Sequence, residues 1–310
     1  MKKIIYLISC VFLTHVSWSQ DLYVGATGVV RIAPTAFVYA GGAVTVNGDL
    51  TADSDATDSA SFLAPNSTVT GNISYKRYVN DANFHLIATP VTTQDIATFA
   101  STAANNVAEN GDGTVYGIGI YKNDNAKGSR WVHYSKPVAV TTNFVSGSAT
   151  ANKRTAAGTF TYTGNMATDD VSITIPAHTT GDFVPQTGED ENYGTHVWSA
   201  VGNPYPSFIT STAILASNSD NFNQYRTYLY VWNPNLATPG YQIINNGNNP
   251  FTLAPGQGFL VDPKGYGKDF VFLESDQTVQ PAGTATFYKT TPTPCVSVHL
   301  SNGSTTKKTV

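Results

Sequence analysis

Charged residues are scarce in this chain, at 12% of its 310 residues, about half of the usual ~25%. The chain has no excess of basic residues, because it contains 17 Lys and Arg and 21 Asp and Glu, and its formal net charge is −4. Nucleic-acid binding depends on clustered Lys and Arg, so the composition argues against a nucleic-acid partner. For the same reason it argues against binding to an anionic lipid surface.

Cysteine is almost absent, with Cys10 and Cys295 only. Cys10 lies in the N-terminal leader described below, so Cys295 is predicted to be alone after processing, without an intrachain disulfide. A chain of this size can bury enough apolar surface to fold without one. We interpret Cys295 as a small strand residue. The alternative is pairing with a cysteine of a missing segment or of a partner.

Motifs of known catalytic sites are also lacking. The sequence contains no G-x-S-x-G elbow, no H-E-x-x-H and no P-loop. The histidines after the leader are scattered, without the spacing of a zinc site: His85, His133, His178, His196 and His299. His85 and His196 stand among apolar strand residues, which favours half-buried side chains with one hydrogen bond. We therefore lean against an enzyme and predict no catalytic residue.

The one long apolar run of the chain is at its N-terminus. Two lysines precede Ile4–Val16, and the small residues Ser17 and Ser19 stand before Gln20. This is the layout of a cleavable secretory signal peptide, with cleavage near Ser19–Gln20, and it predicts a secreted or cell-surface protein. An alternative is lipidation of Cys10. The apolar run continues past that residue, where a lipoprotein normally becomes polar, and this argues against the alternative.

Thr, Asn, Ser and Gly take the place of charge, together with 17 Tyr and 15 Phe. Strands favour Thr, Tyr, Phe and Val, and turns favour Asn, Asp and Gly. We predict an all-β fold of sandwich or jelly-roll type with one or two short helices. Short alternating runs over 23–63 indicate a solenoid-like start or a small β-meander. The predicted divisions are a signal peptide (1–19), a short-strand repeat region (20–71) and a sandwich-like domain (72–310).

Alternation and turn residues place the further elements. Gln94–Ala103 is predicted as a helix that Thr93 caps, with Ile96 and Phe99 pointing inward, and Ile209–Ala216 as a second helix. The predicted strands are 72–79, 84–88, 115–121, 131–134, 159–162, 171–175, 196–201, 228–232, 258–262, 270–273, 284–288 and 296–300. A return strand that has only begun at 305–310 predicts a truncated polypeptide.

The strongest candidate for ligand binding is a strand in which Tyr228, Tyr230 and Trp232 alternate with Leu and Val. Alternate residues share one face of a strand. If the Leu and Val face packs in the core, the aromatic face is a platform that can stack on sugar rings. The alternative is that the aromatic residues are themselves core. Trp131 and Trp198 could extend such a surface, although nothing in the sequence links them.

Two acidic loops are weaker candidates for Ca²⁺, which prefers several oxygen ligands. The first is Glu189, Asp190 and Glu191. The second contains Asp53, Asp55 and Asp58. Neither matches an EF-hand, and solvated surface loops are the alternative interpretation. No other cofactor is predicted.

Four segments together resemble a recurrent module of large secreted proteins of the Bacteroidetes. They are Tyr75–Val79 with Phe84–Val91, Gly202–Ser207, Leu229–Asn233 and Ala254–Val261. Their order and spacing also resemble that module, and the resemblance covers roughly residues 25–310. The two Pro-containing segments are interpreted as rigid turns that define the fold, with shaping of a binding site as the alternative.

The resemblance implies location more than activity. Such proteins commonly end in a C-terminal sorting domain read by the type IX secretion system, and the expected truncation would account for a missing one. We therefore expect a cell-surface structural or adhesive module without catalytic activity. A carbohydrate-binding module is the alternative, and a secreted hydrolase a second alternative. The expected partners are surface glycans or other cell-surface proteins.

Overall fold

The computed structural model describes residues 21–122, 125, 129–138, 142–175, 198–223, 226–233, 240–245, 251–263 and 269–280, and the backbone of 298–301 and 306–309. Within these residues the fold is all-β and sandwich-like, as predicted, with two short α-helices. No helix among them is long and apolar enough to cross a membrane.

The chain begins with a parallel β-solenoid. Its strands are β1 (Leu22–Val24), β2 (Val29–Ile32), β3 (Phe37–Tyr39), β4 (Val44–Val46), β5 (Asp49–Ala52), β6 (Ser61–Leu63) and β7 (Val69–Thr70). Each face of the solenoid is a parallel ladder: β1 with β4 and β7, β2 with β5, and β3 with β6. The predicted short strand repeats are therefore present, and their parallel pairing identifies them as a solenoid instead of a meander.

Strand β8 (Ile73–Val79) joins the solenoid to the rest of the fold. It pairs in parallel with β5 on one side and antiparallel with β13 (Gly158–Gly164) on the other. Its residues alternate between buried and half-buried, as the sequence pattern predicts. Apolar residues of the solenoid pack in one continuous core with those of β8, β13 and the first helix.

Two four-stranded sheets form the sandwich. The first has the order β11–β10–β12–β9, with β9 (Phe84–Ala88), β10 (Val115–Tyr121), β11 (Trp131–Ser135) and β12 (Ala149–Lys153). The second has the order β15–β20–β17–β18, with β15 (Ser199–Gly202), β17 (Leu229–Asn233), β18 (Gly240–Ile244) and β20 (Gly258–Val261). Small residues, among them Ala88, Ala149 and Ala200, let the two sheets approach closely.

Shorter ladders cover the second sheet. Strand β14 (Val171–Thr174) pairs with β21 (Asp269–Phe272), and β16 (Phe208–Thr210) pairs with β19 (Thr252–Leu253) and β22 (Gln277–Thr278). Strand β23 (Val298–Ser301) lies antiparallel to β2 and forms the predicted hairpin with β24 (Thr306–Thr309). The predicted strand at 284–288 lies outside the described residues.

Both predicted helices are present, with shifted boundaries. Helix α1 spans Ile96–Ser101 and buries Ile96 and Phe99 as expected. The predicted cap Thr93 was wrong, because Asp95 accepts the hydrogen bonds of the first turn from Thr98. The hydroxyl of Thr93 instead accepts from the backbone of Asn165. Helix α2 spans Ser211–Ser217, while residues 208–210 belong to β16.

Candidate functional site

The two faces of β17 pack against different parts of the fold. Leu229 and Val231 are 0% and 1% exposed and pack in the core beneath the second sheet. Tyr230 and Trp232 on the opposite face, and Tyr228 just before the strand, are half-buried. The aromatic face is therefore partly covered, and its use as a platform for a ligand stays a prediction.

The other tryptophans that follow the leader converge on this face. Trp198 packs edge-on against Tyr230, with ring centroids 4.9 Å apart, and Trp131 packs against Tyr121 at 5.1 Å. All four belong to one apolar cluster between the two sheets. The ring centroids of Tyr228 and Tyr230 are 6.2 Å apart, and those of Trp232 and Tyr241 are 5.1 Å apart. We call the whole set the aromatic band: Tyr121, Trp131, Trp198, Tyr228, Tyr230, Trp232 and Tyr241.

One ion pair lies beside the band. Arg226 holds the buried carboxylate of Asp262 at 3.3 Å, and its guanidinium lies over the Trp198 ring at 5.8 Å. Burial raises the pKa of Tyr121 and of Tyr230 above the ordinary tyrosine value. Their hydroxyls therefore stay protonated at neutral pH and can donate as well as accept hydrogen bonds.

A small open cleft of about 30 Å³ adjoins the band at Trp232. The solenoid, the end of β8, β9 and the second sheet all contribute to its walls. Its lining residues include Ala56, Tyr78, Asn80, His85, Trp232 and Gln257. Sequence reasoning singled out only Trp232 as a binding residue here, because the other walls come from segments that are distant in sequence.

Three buried polar side chains line this cleft: Arg77, His85 and Gln257. His85 Nε2 lies 3.0 Å from Asp81 Oδ1, in agreement with the predicted single hydrogen bond, and burial lowers the pKa of His85 although Asp81 opposes this. Gln257 is 2% exposed, and its Oε1 accepts from the Ala254 N–H at 3.0 Å. Among the described residues its Nε2 has no hydrogen-bond partner.

The two Pro-containing segments bind each other and position Gln257. Asn203 is fully buried, and its side chain donates to the carbonyls of Ser207 and Ala254. Its backbone N–H donates to the Gln257 carbonyl at 3.1 Å. The interpretation as fold-defining turns is therefore supported, and the second turn also supplies a wall residue of the cleft.

Of the two acidic loops that were candidates for Ca²⁺, the one with Asp53, Asp55 and Asp58 is among the described residues. Glu189, Asp190 and Glu191 lie outside the described residues, so Ca²⁺ binding there stays a prediction. In the other loop, Asp53 pairs with Lys76 at 2.7 Å, and Asp55 accepts from backbone N–H groups at 2.8 Å. The described part of the chain contains no group of three His, Cys, Asp or Glu side chains that could hold a metal ion.

Of the remaining candidate residues, His133 has a described side chain. His133 packs against Phe84, with ring centroids 5.4 Å apart. Only the backbone of His299 is described, where it pairs with Arg31. His178, His196 and Cys295 lie outside the described residues.

Comparison with known proteins gives no family assignment. No family model, no curated protein and no solved structure matches the chain. The resemblance to type IX secretion cargo therefore stays a prediction. The band and the cleft are the observations that bear on function.

Proposed function

We propose that this protein is an exported, non-catalytic cell-surface module that adheres by binding carbohydrate on its aromatic band. The convergence of the half-buried Trp131, Trp198 and Trp232 is the observation that carries this proposal. The signal-peptide layout of the first 19 residues supports export. The resemblance to Bacteroidetes surface proteins supports the type IX route.

The chemistry of the band suits sugars. Large aromatic side chains offer rigid apolar surface at low entropic cost, and their ring faces carry partial negative charge. The C–H groups on one face of a pyranose ring are apolar and slightly positive, so they stack on such rings. Hydroxyl groups of Tyr121 and Tyr230 can then bond to sugar hydroxyls. Arg226 and Asp262 beside the band neutralise each other, which favours neutral glycans as partners.

The secreted hydrolase is the competing proposal. A glycosidase needs two carboxylates roughly 5–10 Å apart. The carboxylate beside the band is Asp262, which Arg226 neutralises. No reaction can be derived from this arrangement, so the hydrolase is best tested by incubating each bound glycan with the protein and looking for shortened products.

The test is binding of the mature chain to a panel of immobilised neutral oligosaccharides. We expect at least one to bind, and Trp131→Ala and Trp232→Ala to weaken that binding by about tenfold or more, as for aromatic hot spots. Tyr39→Ala is the matched control, because Tyr39 is 62% exposed on the solenoid, outside the band. Thermal unfolding of each variant shows that it is folded.

Two results would contradict the proposal. One is that the wild type binds no glycan of the panel. The other is that the folded band variants bind as tightly as Tyr39→Ala. The export part has its own test, the intact mass of the native polypeptide: a chain that retains residues 1–19 would argue against a cleaved leader.

A further inference from the structure

A second and larger cavity, of about 230 Å³, adjoins the aromatic band at Tyr121. Its walls come from strands β10, β12, β14 and β15 and from the turn at 145–148. Tyr121 belongs both to the band and to the lining of this cavity, and the band residue Trp198 directly precedes Ser199 of the lining. Tyr121 therefore connects the band to the cavity.

The fold fixes the walls of this cavity. β14 and β15 are end strands of their described sheets, and each is held by its pairing with β21 or β20. The turn at 145–148 is closed by a hydrogen bond from the Ser148 N–H to the Val145 carbonyl, at 3.0 Å. The Gly202 N–H donates to the Gly147 carbonyl at 2.9 Å and ties this turn to β15. The cavity is therefore pre-formed, as ligand pockets usually are.

The volume of the cavity limits what it can hold. It greatly exceeds the roughly 10–15 Å³ that one water molecule requires, in contrast to the cleft of about 30 Å³ beside Trp232. It is smaller than the roughly 300–1,000 Å³ of pockets for drug-sized ligands. A ligand in this cavity is therefore a single ring-sized unit.

The described lining combines apolar surface with hydroxyl groups and includes no charged side chain. Thr174 Oγ1 donates to Asp269 Oδ1 at 2.7 Å, which leaves its lone pairs for a ligand donor. Each serine hydroxyl can donate once and accept twice. The lining suits a neutral ring with apolar C–H groups and hydroxyl substituents, whereas a phosphate or carboxylate would lack a charged partner. The apolar residues include Ile120, Tyr121 and Ile173, and the hydroxyl residues are Ser148, Ser172, Thr174 and Ser199.

We propose that this cavity receives one sugar unit of the neutral glycan that the band binds, with the sugar hydroxyls bonded to the serine and threonine hydroxyls of the lining. This proposal rests on the proposed carbohydrate binding by the band. It adds the place where the glycan is selected. Stacking on the band tolerates many sugars, whereas a cavity with room for one unit discriminates by the size and substituents of that unit.

Val145→Trp tests the proposal by filling the cavity from an exposed position. Val145 lines the cavity and is 64% exposed, so the larger side chain does not overpack the core. Val29→Trp is the matched control, because Val29 is a valine that is 40% exposed on the solenoid, away from the cavity. Thermal unfolding of both variants shows that they are folded.

The probes are cellohexaose, xylohexaose, mannohexaose and chitohexaose, with binding measured by calorimetry. We expect the hexasaccharide that binds the wild type to bind Val145→Trp about tenfold more weakly, a loss of about 1.4 kcal/mol. Val29→Trp should bind as the wild type does.

Protection of a thiol gives a second measurement at the cavity itself. Ser172→Cys places the thiol at an exposed lining position, and Ser101→Cys is the control at the exposed end of α1. Both are made in a Cys295→Ser background. At a hexasaccharide concentration of about ten times the Kd, about one tenth of the protein is free. The reaction of Ser172→Cys with a thiol reagent should therefore slow by about tenfold, and that of Ser101→Cys should not change.

The outcomes distinguish the two proposals. If Trp131→Ala weakens hexasaccharide binding but Val145→Trp does not, the cavity proposal is wrong and binding by the band stands. An unprotected thiol in Ser172→Cys, in a variant that still binds the hexasaccharide, would also overturn the cavity proposal. If the wild type binds none of the probes, both proposals fail.

Discussion

The side-chain amide of Asn203 donates to the backbone carbonyl of Ala254 at 3.2 Å and thereby links two turns that are distant in sequence. The same side chain donates to the Ser207 carbonyl at 2.7 Å and accepts from the Tyr205 N–H at 3.0 Å. Both donor hydrogens and the acceptor of one buried amide are thus used. The corner after β15 and the turn before β20 form one unit that holds the end of the cleft.

Asn203→Ala should therefore destabilise the protein strongly. It leaves the Tyr205 N–H and two carbonyls without these bonds, and each buried unsatisfied group costs about 1–3 kcal/mol. We expect the free energy of unfolding in urea to fall by about 3 kcal/mol or more. Asn83→Ala, at an exposed loop position, is the control. Equal midpoints for the two variants would show that the link contributes nothing.

The close approach of the two sheets depends on Gly258. A Cβ at this position would lie 2.7 Å from the Ala149 Cβ and 2.8 Å from the Leu86 backbone carbon. Gly258→Ala should therefore force the sheets apart and cost about 1–3 kcal/mol, as overpacking of a core does. Gly111→Ala is the control, because a Cβ at Gly111 would have no atom within 4 Å.

A second substitution tests whether the sheet contact is the cause. Ala149→Gly in the Gly258→Ala background removes one of the two methyl groups that collide. Part of the lost unfolding free energy should return, although the Leu86 contact remains. If the double variant is as unstable as the sum of the two single variants, the contact between Ala149 and residue 258 is not the origin of the loss.

His85 should make stability fall on mild acidification. Burial lowers its folded-state pKa below the ordinary 6.5, so the unfolded chain binds the proton more readily as the pH drops below that value. Unfolding is thereby favoured. Between about pH 7.5 and about pH 5.5, the wild type should lose more unfolding free energy than His85→Gln, which does not titrate there. Parallel pH profiles of the two proteins would contradict this.

Sequence alternation predicted the strands whose pattern is local. β9 and β10 have the predicted boundaries, and β8 begins one residue later than expected. Strand β12 was not predicted, because Ala149–Lys153 contains neither an aromatic residue nor a β-branched run. It is a central strand only because β9 and β10 pair with its two edges. Its small residues are selected by the close approach of the second sheet.

In the candidate site, too, the sequence predicts what depends on a local pattern and misses what depends on packing. That Tyr230 and Trp232 share a face follows from the period of two along a strand. That Trp131 and Trp198 join them depends on the packing of one sheet against another, for which the sequence contains no local signal. Gln257 was recognised as part of a turn, but its unpartnered Nε2 is a property of the assembled cleft.

The solenoid and the sandwich should unfold together, because β8 pairs with β5 and β13 and one apolar core extends from the solenoid to β9 and β10 of the first sheet. Leu50→Ala, at a solenoid side chain that is 1% exposed, removes core volume and should cost about 2–5 kcal/mol. The tryptophans after the leader lie in the sandwich, so their fluorescence reports unfolding there alone. We expect Leu50→Ala to lower the midpoint of this fluorescence transition, whereas Val29→Ala, at a residue 40% exposed, should leave it nearly unchanged. An unchanged fluorescence midpoint, with an earlier separate loss of strand signal in circular dichroism, would mean that the solenoid unfolds independently and that β8 does not couple the two parts.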